Sequence, residues 1–324
     1  MIYLDKTQIK PLLTWKDTLK ATEVALKAAS TKQSVIPPRV FSNVFNTPKW
    51  MLTMSGYLED PLYGAWVVKI LTGNPNNALL PHPLPTLNAN IVLFDQETGE
   101  IKALLDGTEI TSWRTAAASA VATKVIHSAA AKSQKILSIF GCGEQGRAHA
   151  YCFYHLFTFD EIRLWNRTTQ KAENFVRDLN KEFNTTKFKC IREKEDCARG
   201  ADVIITTTNP GNEPIVKYQW LKKGVHINAV GVVGSGPEKT FELDEETYKN
   251  SQVFVDSWEG ANKELTELKA IGTDLKAEVG EVILGKVSLP VKDKITVFQS
   301  LGMASEDCAM ARMIYDLYCA KLKQ

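Results

Sequence analysis

The chain has 324 residues, of which 44% are hydrophobic and 23% are charged, the balance of a globular protein. This length suits two domains better than a single core. A formal net charge of +2, without a run of basic residues, argues against a nucleic-acid partner. No apolar stretch approaches the ~20 residues that a membrane span requires, and the first residues do not resemble a signal peptide. Because the six cysteines have no CxxC spacing and no nearby His cluster, we predict a cytoplasmic protein with reduced thiols and no metal site.

The first third of the chain is predicted to be rich in strands. Residues 4–30 read as a loop and a helix, and four β-prone segments follow, VFSNVF, KWMLTMSG, AWVVKIL and ANIVLFD. Between the last two of these strands, a loop dense in Pro and Asn predicts irregular chain. An Ala-rich segment that begins with a Thr cap, TSWRTAAASAVATKVIH, then predicts a long helix.

From Gln134 onward, predicted strands alternate with predicted helices. The strands are KILSIF, EIRLWN, ADVIITTT, VHINAVG and SQVFVD. Such alternation indicates right-handed βαβ crossovers and a parallel sheet. The last segment, SEDCAMARMIYDLYCAKL, predicts an amphipathic helix. We therefore predict an α/β protein in which a Rossmann-type domain, residues 113–299, is inserted into a strand-rich α+β domain, residues 1–112 plus 300–324.

A glycine-rich turn follows the first of these strands. Gly141, Gly143 and Gly146 fit the pattern G-x-G-x-x-G, with Glu144 and Gln145 between the last two glycines. The pattern alone is weak, but here it follows an apolar strand and opens a helix, which is the context that dinucleotide binding requires. The glycines permit a tight turn and a close approach to a pyrophosphate, and the helix N-terminus supplies amide donors.

The end of the second strand indicates which nucleotide is bound. An NAD site usually has an Asp or Glu there, which accepts hydrogen bonds from the ribose. This chain has Asn166, Arg167 and Thr168 instead. Arg167 can pair with a 2′-phosphate, and its neighbours can donate hydrogen bonds to it. The pattern favours NADPH over NADH.

The motifs together carry a resemblance to a known family. LLDGTEITSWRTAAASAVATKVI, IFGCGEQGRAHA, LWNRT, GADVIITTT, HINAVG and VFQSLGMASED occur in the order found in the ornithine cyclodeaminase/mu-crystallin family. The similarity covers residues 35–320, and the chain is most similar to the mu-crystallin branch, whose members are NADPH-dependent ketimine reductases that also bind thyroid hormone. The resemblance implies a homodimer, in which the outer domain binds substrate and forms the dimer while the Rossmann domain binds the nucleotide.

The resemblance also implies roles for particular residues. Arg39, Lys69 and Arg114 correspond to family residues that bind the substrate carboxylate, with Lys69 and Arg114 as the catalytic candidates and Arg114 beside the cofactor as well. A guanidinium fork and an ammonium suit an α-carboxylate. The complete set of predicted cofactor contacts is Thr86, Arg114, Gly141, Gly143, Glu144, Gln145, Gly146, Asn166, Arg167, Thr168, Thr207, Thr208, Val230, Val232 and Ser300.

Two departures from the family separate reduction from cyclodeamination. Cyclodeaminases have an acidic residue on an early strand, where this chain has Leu52–Ser55. They also have an Asp after the N-A-V-G turn, which continues here over 231–236 without an acid. Glu238 and Asp244 are the nearby carboxylates that could substitute. Deamination needs a group that handles the amine proton, whereas a protonated imine is already electrophilic.

The sequence therefore predicts the NADPH-dependent reduction of a cyclic ketimine carboxylate, such as piperideine-2-carboxylate or a sulfur analogue. Three alternatives remain open. They are redox-neutral ornithine cyclodeamination, an amine-forming dehydrogenase resembling alanine dehydrogenase, and a crystallin-like protein that binds an iodothyronine without required catalysis. The proton donor also stays open between Lys69 and an imine that arrives protonated, and Glu306 and Asp307 are predicted to cap the last helix or line the same site.

Overall fold

The structure is a computed structural model that describes residues 1–129, 134–233 and 240–323. The end of the extended turn, 234–236, and Glu238 therefore lie outside the described residues. The chain divides into two compact units. Unit 1 comprises residues 1–114 and 302–324, and unit 2 comprises residues 115–301. In the described ranges, no helix combines the length and the apolarity needed to cross a bilayer.

Unit 1 is built on a mostly antiparallel sheet. Its strands are β1 (Ile2–Leu4), β2 (Ser34–Val35), β3 (Val40–Asn43), β4 (Trp50–Leu58), β5 (Ala65–Gly73), β6 (Leu87–Phe94) and β7 (Ile101–Asp106). Their order is β1-β7-β6-β5-β4-β2, with β3 also paired to β4. Only the β1–β7 pair is parallel among these strands. Alternate residues of β5 are buried, as expected where one face of a sheet packs on a core.

Helices cover that buried face. They are α1 (Lys6–Ile9), α2 (Trp15–Thr31), the start of α3 (Gly107–Ala122) and α11 (Ala304–Leu322). Thr14 caps α2 by accepting a hydrogen bond from the Asp17 amide at 3.1 Å. The first half of α11 is buried from Ala304 to Ala311 and packs on β4, β5 and α2. This packing brings the acidic residues at the start of α11 against the middle of the sheet.

The Ala-rich helix begins earlier than its predicted start. Asp106, at the end of β7, accepts the amide of Thr108 at 2.8 Å, so the helix begins at Gly107 rather than after a Thr cap. The α-helical part ends at Ala122, and the chain then forms a π-helix over Thr123–Ser128. The prediction failed because Asp is as good a cap as Thr, and the strand that precedes it hid the helix start.

Unit 2 contains the parallel sheet that the sequence predicted. Its strands are β8 (Ile136–Phe140), β9 (Glu161–Trp165), β10 (Phe188–Cys190), β11 (Val203–Thr206), β12 (His226–Ala229), β15 (Gln252–Val255), β16 (Asp274–Glu278) and β17 (Thr296–Gln299). They run in the order β10-β9-β8-β11-β12-β17-β15-β16, and every pair is parallel. The Rossmann-type fold class is confirmed. A short antiparallel pair, β13 (Val232–Val233) and β14 (Thr240–Phe241), follows β12.

The remaining helices of unit 2 connect these strands. They are α4 (Glu144–Leu156), α5 (Thr169–Glu182), α6 (Lys194–Ala198), α7 (Glu245–Asn250), α8 (Trp258–Glu264), α9 (Thr266–Ala270) and α10 (Val279–Ile283), with a 3-10 turn at Tyr218–Trp220. The strand order reverses between β8 and β11, since β9 lies on one side of β8 and β11 on the other. Ligands of open parallel sheets bind in the crevice at such a reversal, beyond the carboxyl ends of the strands.

Candidate functional site

In unit 2, the glycine-rich turn joins the end of β8 to the start of α4. A Cβ atom on Gly146 would lie only 1.9 Å from the carbonyl oxygen of Gly141, so the third glycine is needed for the helix to approach the strand end. Gly143 occupies the N-cap of α4, and no atom of the described residues lies within 4 Å of the position a Cβ would take there. Glu144 and Gln145 form the first turn of the 13-residue helix, whose amides face an open approach suited to an anion.

A cleft of about 590 Å³ lies beside this turn. Its lining includes seven of the predicted cofactor contacts, Gly141, Gly143, Asn166, Arg167, Thr168, Thr207 and Thr208. Asn166 accepts the Cys142 amide at 3.1 Å and donates to the Thr168 carbonyl at 3.0 Å. Its side chain therefore ties the end of β9 to the glycine-rich turn, a positional role that the sequence analysis did not anticipate.

The cleft carries more positive charge than the sequence motif suggested. Lys171 and Lys194 line it together with the exposed Arg167, while Glu213 is the one carboxylate among its lining residues within the described chain. Lys194 Nζ also lies 6.0 Å from the centre of the Trp165 ring. Sequence reasoning missed both lysines because they lie on α5 and α6, outside the turn that the motif describes. The surplus of cations favours a doubly charged phosphate over a neutral ribose.

The other predicted contacts of unit 2 lie at neighbouring strand ends. Thr207 Oγ1 donates to the Phe140 carbonyl at 3.1 Å, which joins the ends of β8 and β11. Val230 follows β12 and donates its amide to the Thr206 carbonyl at 3.0 Å. Ser300 follows β17, is buried, and donates its amide to the Ala229 carbonyl at 2.9 Å. Val232 begins β13. Thr207, Val230 and Ser300 thus follow the carboxyl ends of three strands of the parallel sheet, whereas Val232 lies in the separate β13–β14 pair.

In unit 1, the predicted substrate lysine lies in a buried ion pair. Lys69 Nζ, in the middle of β5, is 2.6 Å from Asp307 Oδ2 on α11, and both side chains are almost completely buried. Burial lowers the pKa of Lys69 to about 8, although the carboxylate of Asp307 opposes that shift. Lys69 Nζ is thus held against a carboxylate in a completely buried position of unit 1.

Arg114 lies next to the same pair. Its Nη1 donates to Glu306 Oε2 at 3.0 Å, and its Nε is 3.6 Å from Asp307 Oδ1. The guanidinium packs against Gly302, where φ is +78° and a Cβ would lie 2.5 Å from Arg114 Nη1. A side chain at this position would both strain the backbone and displace the guanidinium. Gly302 therefore helps to position Arg114.

Arg39 contacts Gly302 as well. Its Nη2 donates to the Gly302 carbonyl at 2.9 Å, which places the third predicted cation at the segment that precedes α11. Thr86, the remaining predicted contact of unit 1, is exposed in the loop before β6, and its carbonyl accepts the Asn74 amide at 2.8 Å.

The carboxylates of α11 are the main feature that sequence reasoning undervalued. Glu306 and Asp307 are fully buried and contact two of the three predicted cations. Glu306 also accepts the Met303 amide at 3.2 Å, so it caps α11, one of the two roles that the sequence suggested. The signal was an acidic pair within the largely apolar first two turns of the last helix, because buried carboxylates require partners. Leu52, in contrast, is a half-buried residue of β4.

Comparisons with known proteins show which proteins this chain is similar to. The model of the ornithine cyclodeaminase/mu-crystallin family matches residues 2–321. Ketimine reductase mu-crystallin from Rattus norvegicus is 40% identical over 250 residues, 77% of this chain and 74% of that protein. The structure of Thermococcus litoralis Δ1-pyrroline-2-carboxylate reductase, in complex with NADH and L-proline, is 30% identical, covers 99% of this chain and 98% of its own, and has a TM-score of 0.89. An archaeal alanine dehydrogenase dimer with bound NAD is 28% identical over 99% of this chain and 97% of its own, with a TM-score of 0.88.

Proposed function

The chain belongs to the ornithine cyclodeaminase/mu-crystallin family, and we propose that it is an NADPH-dependent reductase of cyclic ketimine carboxylates. The substrate class is Δ1-piperideine-2-carboxylate or a sulfur-containing analogue, and the product is the cyclic amino acid. The observation that carries this proposal is the buried Lys69–Asp307 pair beside Arg114, in which burial lowers the pKa of Lys69 to about 8. Such a group can both bind an anion and exchange a proton near neutral pH.

The nucleotide site of unit 2 suits NADPH. The open approach to Gly143 at the start of α4 fits a pyrophosphate, and Arg167, Lys171 and Lys194 fit a 2′-phosphate. No carboxylate of β9 stands at the position where NAD sites place one. When bound, NADPH supplies the hydride for the imine carbon.

The cations of unit 1 suit a substrate carboxylate. Arg39, Lys69 and Arg114 provide three positive charges, and Glu306 and Asp307 provide two negative charges, so the group carries a net charge of about +1 at neutral pH. A bound carboxylate would neutralise this remaining charge. Because the carboxylates of α11 already satisfy much of Lys69 and Arg114, we assign the largest part of anion recognition to Arg39. An iodothyronine carboxylate would use the same cations, so binding alone does not distinguish the two functions.

Lys69 is the proposed proton donor. Reduction breaks the π bond of C=N, forms a C–H bond with the hydride, and forms an N–H bond with a proton. An ammonium of Lys69 can donate that proton, and the neutral amine that remains lies beside Asp307. Asp307 is acceptor-only when ionised, and it favours the return of a proton from solvent to Lys69. Arg114 keeps its charge throughout, so its part is to orient the carboxylate.

The deciding experiment follows NADPH oxidation with a panel of imines. The panel contains Δ1-piperideine-2-carboxylate, its sulfur analogue, Δ1-pyrroline-2-carboxylate, and Δ1-piperideine, which lacks the carboxylate. We expect rapid oxidation with at least one ring carboxylate, formation of the cyclic amino acid, and a kcat/KM at least about a hundredfold lower for Δ1-piperideine, since a buried charge pair is worth several kcal/mol. Tight iodothyronine binding without turnover of any imine would refute the proposal.

A variant pair tests the carboxylate site. Arg39→Ala should raise KM for the ring carboxylate by about a hundredfold or more and leave NADPH affinity nearly unchanged. Arg312→Ala is the matched control, because Arg312 is a partly exposed arginine of the same unit that pairs with Asp316 on the surface of α11. A fully active Arg39→Ala enzyme would mean that the carboxylate is bound elsewhere.

A further inference from the structure

A carboxylate that the proposed reaction does not use is buried at the carboxyl edge of the parallel sheet. Glu242 directly follows β14 and is 1% exposed. Its Oε1 accepts the Thr208 amide at 2.5 Å and the Thr208 hydroxyl at 2.7 Å, and its Oε2 accepts the Gly231 amide at 2.6 Å. In the described part of the chain, no cation lies within ion-pair distance of it. Three N–H and O–H donors therefore hold this side chain.

The two oxygens join two different turns. Thr208 belongs to the turn after β11, and Gly231 belongs to the turn after β12. The turns approach each other so closely that a Cβ on Gly231 would lie 2.3 Å from the Thr208 carbonyl oxygen and 2.6 Å from Glu242 Cδ. The Glu242 carbonyl in turn accepts the Ile215 amide at 2.7 Å, which fixes the backbone that carries the carboxylate. The buried Glu242 side chain therefore connects the turn after β11 to the turn after β12 by hydrogen bonds.

The topology indicates which part of a dinucleotide these turns would face. The pyrophosphate site is the turn after β8, and the adenosine ribose site is the end of β9. Since β11 and β12 lie on the opposite side of β8 from β9, the other half of the dinucleotide extends over the turns that Glu242 connects. Thr208 and Val230, two predicted cofactor contacts, belong to these turns.

We propose that Glu242 is a positioning residue that holds the turns after β11 and β12 in the shape that receives the nicotinamide half of the cofactor. The inference rests on the proposed function. Burial raises the pKa of Glu242 to about 7, and the hydrogen bonds from Thr208 and Gly231 oppose that rise. An ionised carboxylate accepts all three donors, whereas a Gln side chain must turn its NH2 toward one of them. We therefore expect Gln to replace Glu242 only in part.

The test compares a whole cofactor with its adenosine half at pH 8, by isothermal titration calorimetry. NADPH contains the nicotinamide half, and 2′,5′-ADP does not. For Glu242→Ala we expect NADPH affinity to fall by about tenfold or more, while 2′,5′-ADP affinity changes by less than about twofold. The NADPH affinity of Glu242→Gln should lie between those of wild type and Glu242→Ala, because Gln retains some of the hydrogen bonds between the two turns.

Asp244→Ala serves as the control. Asp244 is two residues farther on, caps α7 by accepting the Thr247 amide at 3.0 Å, and accepts the Tyr218 amide at 3.1 Å. Its loss should lower the thermal midpoint without changing the ratio of the two affinities. Equal weakening of NADPH and 2′,5′-ADP by Glu242→Ala, or no weakening of either, overturns the inference. If wild type itself fails to bind NADPH, the proposed function fails instead. Should Glu242→Ala not fold, Glu242→Gln carries the same comparison.

Discussion

Replacing Asp307 by Asn tests whether the buried ion pair of unit 1 is an electrostatic unit. Lys69 Nζ and Asp307 Oδ2 are 2.6 Å apart with side chains 1% and 0% exposed. Removing one partner of a buried pair leaves the other charge uncompensated, which costs roughly 3–5 kcal/mol of stability. Because the pKa of Lys69 is already lowered to about 8, loss of the carboxylate should lower it further and leave the amine largely neutral at pH 7.

A pair at the same N–O distance, but with a half-exposed lysine, provides the comparison. Lys6 Nζ and Glu109 Oε1 are also 2.6 Å apart, with side chains 53% and 11% exposed. Water and salt screen such a pair, so Glu109→Gln should cost less than about 1 kcal/mol. The two substitutions remove the same chemical group at the same distance, and the two pairs differ mainly in the exposure of the lysine. The difference between their effects therefore measures the effect of burying the lysine.

The assay is urea unfolding at pH 7 of wild type, Asp307→Asn, Lys69→Met and the double variant. Near-ultraviolet circular dichroism follows unit 1, since the rings of Trp15 and Trp113 stack with centroids 3.8 Å apart. The double variant should be more stable than the sum of the single losses predicts, because it leaves no unpaired charge. Equal small losses for Asp307→Asn and Glu109→Gln, or strict additivity in the double variant, would refute the reasoning.

The remaining predictions concern the nucleotide, pH, assembly and ornithine. NADPH should bind at least about tenfold more tightly than NADH, a difference of about 1.4 kcal/mol, and Arg167→Ala should remove most of it in calorimetric titrations; equal wild-type affinities would contradict this. Because the pKa of Glu242 is raised from 4.5 to about 7 on folding, the folded state retains a proton that the unfolded state has lost. Its contribution to stability should therefore fall by about 3 kcal/mol as pH rises from 4.5 to 7, and denaturant titrations of Glu242→Gln should lack this slope. The exposed apolar side chains of β3 and the following turn, with Phe41 51% and Phe45 94% exposed, lead us to expect a homodimer. A monomer by light scattering at micromolar concentration would exclude it. Ornithine with catalytic NAD should give no proline and ammonia, because Leu52 stands where cyclodeaminases have an acid and a placed base is worth roughly 10²–10⁴ in rate. Stoichiometric release of both at many turnovers per minute would reverse that assignment.

The sequence by itself determined the features whose causes are local. The alternation of strands and helices after Gln134 predicted the parallel sheet, because each βαβ unit repeats the same short-range pattern. Gly141, Gly143 and Gly146 were identified because a tight turn at a helix start imposes its residue types within six positions. The absence of the usual Asp or Glu at the end of β9 could be recognised for the same reason, because that position is fixed relative to the strand. The family resemblance then directed attention to Arg39, Lys69 and Arg114, which no local pattern distinguishes from surface charges.

Only the tertiary structure decided which charges lie together. Arg114 and Glu306 are 192 positions apart, and their contact depends on the packing of α11 against the sheet of unit 1. Glu242 looked like one of many acids until the turns after β11 and β12 were found to converge on it. The physical reason is common to both cases. The energy of a charge depends on its burial and on the donors around it, and these are properties of packing between distant segments rather than of neighbouring residues.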